Sequence, residues 1–322
     1  MRKLLTCAAL VALATAAFAA APSAPGPAYV AMAVPGLSIA SHQDLTIEAI
    51  DIGVSLNSVT YSYRFGNTGT APLILATSVS LPSLKPSESE HRTYRIAAGN
   101  PENFIGLSIK ADDKPVNAKV IIHAFALDVE RTEELKALNL PLVPFGPEID
   151  NALKGVSADV LGRLIRLGLV SPPDELNTPR SADWTLNVTY AWDQVLAPDK
   201  TTTISMTFQP MSGNFELNAD TVGVLDDLKE DACVGEQVVK TLRAKAAKSP
   251  TPVTEIAISI VNPTRWLPTP SPTITVQKPK PDTVVALCAT NVKTYPSQVT
   301  AKIPDDEDSE ELRVLLIGAA PQ

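Results

Sequence analysis

Trp184-Thr185-Leu186-Asn187-Val188-Thr189-Tyr190-Ala191-Trp192 is the stretch that decides the fold class. Large apolar residues occupy every second position, and Thr, Asn and Ala fill the gaps. A period of two is the signature of a strand with one buried face. Ala197-Pro198-Asp199-Lys200 then reads as a turn, and Ile204, Met206 and Phe208 resume the alternation. The two runs are expected to pair as a hairpin, with cross-strand contacts on one face worth roughly 0.2–1 kcal/mol each. Upstream, Val59, Tyr61, Tyr63 and Phe65 alternate with Thr60, Ser62 and Arg64 before the turn signal Gly66-Asn67-Thr68-Gly69. Residues 73–81 look like the returning strand of a second hairpin.

Further strands are expected over residues 105–109, 116–127, 256–260, 284–288, 299–303 and 312–317. Between them the character changes. Thr132-Glu133-Glu134 resembles a helix start, with a hydroxyl and acids in the first turn, and Pro141 stops it. Ser157 can cap a second helix carrying Val160, Leu161, Leu164 and Ile165 on one face, and Gly168 suits its end. A further helix is expected over residues 236–247. The proline-rich stretch 263–281 reads as extended surface chain. No internal repeat stands out. The pattern predicts a mainly β (α+β) protein of antiparallel, sandwich-like sheets with a small helical insertion.

The N-terminus carries Arg2 and Lys3, an apolar run over residues 4–16, and small residues at Ala17 and Ala19 around Phe18. This is the layout of a secretory signal peptide cleaved after Ala19, and the run is shorter than the roughly 20 residues that span a bilayer. Most of the run follows Cys7 and Thr6 precedes it, which is not the order of a lipid-attachment site. The organisation expected is a signal peptide at 1–19, an Ala/Pro-rich flexible lead-in at 20–34, an N-terminal β region at 35–130, the helical insertion at 131–175 and a C-terminal β region at 176–322. The two β regions can form one domain or two. Periplasmic or secreted localisation follows, with no transmembrane segment after cleavage.

Without Arg2 and Lys3, 25 basic residues stand against 35 acidic ones, a net charge of −10. That balance argues against nucleic acid, whose binding needs basic patches, and favours solubility. With Cys7 removed, Cys233 and Cys288 remain. In an oxidising compartment they allow one disulfide, closing a loop of roughly 55 residues and worth about 4 kcal/mol by chain entropy; the alternative is a pair of free thiols or a redox couple, although redox pairs usually sit as Cys-x-x-Cys.

The chemistry-bearing motifs are sparse. The chain has no Gly-x-Ser-x-Gly elbow, Ser-x-x-Lys, His-Glu-x-x-His, P-loop or Gly-x-Gly-x-x-Gly. His42, His91 and His123 have no His or Cys at ligand spacing, so neither a metal nor a cofactor is expected. His123, in an apolar run, reads as a hydrogen-bonded core or edge residue rather than a base. Asp305-Asp306-Glu307-Asp308, with Glu310 and Glu311, offers clustered oxygens to calcium or is a solvated loop beside strand edges. Trp266 in Arg265-Trp266-Leu267-Pro268 either packs onto the neighbouring prolines or serves as a partner contact, and the 184–192 face either packs the core or lines a ligand pocket.

Taken in order, Val59-Thr60-Tyr61-Ser62-Tyr63-Arg64-Phe65, Asn67-Thr68, Arg131-Thr132-Glu133-Glu134-Leu135, Leu140-Pro141-Leu142, Leu167-Gly168-Leu169, Trp184-Thr185-Leu186, Tyr190-Ala191-Trp192, Cys233, Trp266 and Cys288 resemble a family of secreted bacterial proteins, domain of unknown function 4424. The likeness runs over residues 35–316. Ile50-Asp51-Ile52 stands where that family often has Glu-Asp-Leu. The resemblance implies secretion, paired cysteines and a β-rich fold, and carries no activity. Three functions are therefore compatible with the sequence. The first is a non-enzymatic envelope module binding an envelope protein or a small ligand. The others are a carboxylate-dependent hydrolase acting on envelope or extracellular carbohydrate and a scaffold stabilised by calcium at residues 305–311.

Overall fold

A computed structural model describes residues 31–86, 100, 102–172, 181–264, 267–304 and 311–319. The expected signal peptide, residues 1–19, and residues 20–30 lie outside them. Residues 31–34 are docked: Met32 bridges to Met211 and the buried Val34 bridges to Ile258.

In chain order the elements are β1 (Ser38–Ile39), β2 (Leu45–Val54), β3 (Val59–Asn67), β4 (Leu73–Ser80), β5 (Ser108–Ala111), β6 (Lys114–Pro115), β7 (Lys119–Ala126) and β8 (Val129–Glu130). Then come α1 (Thr132–Ala137), α2 (Pro147–Gly155) and α3 (Ala158–Arg166). The chain returns to strands with β9 (Thr185–Leu196), β10 (Thr201–Phe208) and β11 (Gly213–Leu217), followed by α4 (Val224–Asp231) and α5 (Glu236–Ala246). It closes with β12 (Thr251–Ser259), β13 (Thr273–Gln277), β14 (Val284–Ala286), β15 (Thr290–Thr294), β16 (Gln298–Lys302) and β17 (Glu311–Ile317). The protein is mainly β, with antiparallel sheets and few helices.

Three sheets form. The first has the order β1-β4-β9-β7-β8, the second β15-β16-β13-β2-β3-β10-β5-β6 and the third β11-β12-β17-β14. Among the described pairs, β2 with β13 is parallel and the rest are antiparallel. The alternation in β3 puts Tyr61, Tyr63 and Phe65 inward as a stacked row, with ring centroids 6.1 Å apart. These residues share one core with Leu186 and Val188 of β9 and Leu75 and Val79 of β4. The third sheet divides two cores. Ile256, Ile258, Val314 and Leu316, on one face, join the first core; Val253, Leu315 and Ile317, on the other, pack with Leu225, Val239 and Leu242 of α4 and α5. A strand buried on both faces needs a continuous apolar run, which residues 314–317, Val-Leu-Leu-Ile, supply beyond the exposed Arg313.

Neither expected hairpin forms. β3 belongs to the second sheet and β4 to the first; β9 belongs to the first and β10 to the second. Residues 68–72 and 197–200 are corners carrying the chain across the sandwich. β3 pairs with β10, and β4 with β9, so the two corners stack. Asn67, buried, locks them. Its amide nitrogen donates to the carbonyls of Ala71 (2.9 Å) and Leu196 (3.0 Å), and its Oδ1 accepts the Gly69 N–H (3.0 Å). The Asn67 carbonyl accepts the Asp199 N–H at 3.0 Å.

The stretch 263–281, expected on the surface, contains β13, whose Ile274 and Val276 are fully buried between β2 and β16. The residues 131–170 are helical as expected, with differences at the ends. Thr132 does not cap α1; its hydroxyl accepts the Ala124 N–H at 2.8 Å and donates to Glu130 at 3.2 Å. Ser157 does cap α3, accepting the Val160 N–H at 3.3 Å, and Gly168 follows with φ +71°. α2, which begins at Pro147, and α4 were not expected. Trp184 anchors this segment by donating its indole N–H to the Leu142 carbonyl at 2.7 Å.

Candidate groove on the outer face of the first sheet

The first sheet buries one face and leaves the other open. On β4 the inward Leu73, Leu75, Thr77 and Val79 alternate with Ile74, Ala76, Ser78 and Ser80 on the outer face. Pairing aligns the outer residues in rungs. Ser38, Ser78, Ala191 and Lys119 stand opposite one another across β1, β4, β9 and β7. The next rung is Ala76 with Asp193, and the one beyond is Ile74 with Val195. Successive rungs on one face lie roughly 7 Å apart along the strand.

An open groove of about 760 Å³ lies over the first two of these rungs. Its floor is made of small side chains, Ser38, Ala76, Ser78 and Ala191, so a ligand can approach the sheet closely. Ala40, Ser41, Val261, Asn262 and Pro263 add further lining. The 261–263 segment is fixed to the sheet edge. The Pro263 carbonyl accepts the Ile39 N–H at 2.9 Å, and β1 holds β4 through Ala40 N–H to Ala76 carbonyl, also 2.9 Å. Asn262 is committed to its own loop, donating to the Leu267 carbonyl at 3.0 Å and accepting the Thr264 N–H at 2.8 Å.

The hydroxyls of Ser38, Ser41 and Ser78, the Lys119 ammonium and the Asp193 carboxylate are left with capacity to bind. Among the described residues none of them makes a hydrogen bond or ion pair to another. Together they supply donors, acceptors and one charge of each sign. Pockets of a few hundred to a thousand Å³ with a few polar groups on an apolar lining suit small ligands.

The residues singled out in the sequence are dispersed relative to this groove. Trp184 is core. Trp192 lines the groove but also packs against the core, and donates its indole N–H to Gln194 Oε1 at 3.0 Å. Within the 184–192 run, Trp184, Leu186 and Val188 pack the core, and Ala191 and Trp192 line the groove. His123 lies on β7, half-exposed, with Nδ1 2.7 Å from Glu130 Oε1 and its ring 5.9 Å from that of Phe125. The hydrogen bond with His123 holds the Glu130 carboxyl below its ordinary range. Cys233 and Cys288 are joined in a disulfide, with Cα atoms 4.9 Å apart, tying the α4–α5 junction to the end of β14. Trp266 and the acidic residues 305–310 lie outside the described residues. The groove itself was not anticipated, because Ser38, Ala76, Ser78 and Lys119 carry no motif; only strand register assembles them.

Among the described residues no helix is long and apolar enough to cross a membrane. No curated protein matches the chain in sequence. Among solved structures, a Legionella pneumophila protein described as a "putative nutrient binding protein" is similar at 11% identity and a TM-score of 0.43, over 90% of this chain and 72% of that one. A family model, Domain of unknown function (DUF4424), matches residues 28–315. The chain, matched over nearly its whole length, belongs to that family of unknown function.

Proposed function

We propose that this protein is an exported, non-enzymatic binding module of the bacterial envelope that takes a small ligand in the groove over the first sheet. The observation that carries the reading is the groove's floor. Four small side chains in register leave the backbone approachable, while hydroxyls and two side-chain charges have no partner among the described residues. The disulfide between Cys233 and Cys288 supports export, since such bonds persist in oxidising compartments. The N-terminal run of residues 4–16 and the small residues before Ala20 support cleavage of a leader. Within this reading the helical residues 131–170 are part of the scaffold, packing Leu135, Ile149, Leu153 and Leu164 into the shared core.

The test is a thermal-shift screen of the folded protein against amino acids, peptides and sugars, repeated on Ser78→Trp. A ligand that raises the midpoint of the parent and leaves the variant unmoved supports the reading. No shift with any compound, or equal shifts in both proteins, would overturn it.

A further inference from the structure

Resting on the groove as a ligand site, the geometry points to the class of ligand: we propose a small zwitterion bearing an apolar side chain, a free α-amino acid or a dipeptide. Lys119 stands opposite Ala191, and Asp193 lies two residues further along the same face of β9. Such diagonal neighbours lie roughly 7–8 Å apart, their Cβ atoms somewhat closer. Among the described residues no ion pair joins them, although the lysine arm is long enough to reach. A neutral ligand would leave both charges to water, and a simple anion or cation would meet one attractive and one repulsive group. A molecule carrying an ammonium and a carboxylate a few ångströms apart satisfies both, each with a charge-assisted hydrogen bond.

The apolar requirement comes from the next rung. Ile74 and Val195 are paired on the outer face and are 69% and 54% exposed, among the most open large apolar side chains of the described residues. They lie just past Asp193, on the side away from Lys119. A side chain on the carbon that bears the ammonium therefore falls on the Ile74–Val195 pair while the carboxylate reaches back toward Lys119. Val261, 50% exposed, belongs to the groove lining and adds apolar surface. The hydroxyls of Ser38 and Ser78 remain for the carboxylate or a peptide group.

Isothermal titration of the folded protein with L-leucine, glycine, Leu-Gly, N-acetyl-Leu-Gly and a neutral disaccharide tests this. Leucine or Leu-Gly should bind, and the tighter of the two identifies the length. Glycine should bind at least about tenfold more weakly for want of an apolar side chain. Acetylation of Leu-Gly, Asp193→Asn and Lys119→Met should each weaken binding about tenfold or more. Both residues are exposed, so the variants should unfold at nearly the parent's temperature. Equal affinity for glycine and leucine, undiminished binding of the acetylated peptide, or indifference to both variants would overturn the inference. Binding of the disaccharide alone, abolished by Ser78→Trp, would overturn the zwitterion and leave the groove standing. Binding of none of these, with no groove-dependent shift in the wider screen, would overturn both.

Discussion

Replacing Asn67 by alanine should be among the most damaging single polar changes in this protein. The side chain is 2% exposed and makes three hydrogen bonds, two donated to carbonyls on different corners and one accepted from Gly69. Each is worth about 1 kcal/mol net, and of the partners left behind Leu196 is buried while Ala71 and Gly69 reach solvent. The expected loss is about 2–4 kcal/mol, roughly 3–6 °C in Tm for a chain of this size. Asn67→Asp should be at least as damaging, because it keeps the acceptor to Gly69 but turns a buried carboxylate oxygen toward the Ala71 and Leu196 carbonyls that the amide served. Urea unfolding followed by circular dichroism measures the change. If the two corners are stacked as described, the midpoint falls with an unchanged slope. A loss under about 0.5 kcal/mol, the level of an ordinary surface substitution, would refute the claim that Asn67 holds the corners together.

Changing both Cys233 and Cys288 to alanine should cost about 2–4 kcal/mol, given the 55-residue separation; a reductant should destabilise the parent and leave the double variant unmoved. Trp184→Phe should lose about 1–3 kcal/mol, read by thermal unfolding, because it removes the indole that bonds Leu142 and leaves that carbonyl buried. The Glu130 carboxyl lies below its ordinary value of 4.5 in the folded protein, chiefly through its hydrogen bond with His123. Its contribution is therefore present above that value and disappears as pH falls through the lower, folded one. The stability difference between the parent and Glu130→Gln should accordingly shrink on acidification below about pH 4.5, in urea titrations between pH 7 and 3, and a constant difference would contradict the assignment.

The alternating runs at 59–65 and 184–192 revealed strands and which residues face inward, and those faces are the core of the structure. They did not reveal partners. In a sandwich both sheets bury the same kind of face, so a turn that folds a strand back beside itself and a corner that carries it across the core follow identical patterns. Asn67 separates the two outcomes: its amide can bridge two corners only when they are stacked, and no local rule expresses that. β13 escaped notice for a related reason. Pro263, Pro268, Pro270, Pro272, Pro279 and Pro281 surround it, yet Ile274 and Val276 between them supply enough apolar surface for a buried strand parallel to β2. α3 was legible because Ser157 and Gly168 mark its ends chemically, whereas α4 has no side-chain cap to announce it. The groove was least legible of all. Ser38, Ser78, Ala191 and Lys119 are ordinary residues spread over some 150 positions, and only the pairing β1-β4-β9-β7 sets them side by side.

That groove is the centre of the account, and three of its residues are alanines: Ala40, Ala76 and Ala191. Labelling alanine methyl groups with carbon-13 turns them into reporters on its lining, with the buried Ala124, Ala232 and Ala246 as internal references. The decisive measurement is the methyl spectrum of the folded protein titrated first with a periplasmic small-molecule extract and then with L-leucine and Leu-Gly. Saturable shifts are expected at Ala40, Ala76 and Ala191 with the three references unmoved. Shifts confined to alanines elsewhere, or none at any concentration, would contradict it.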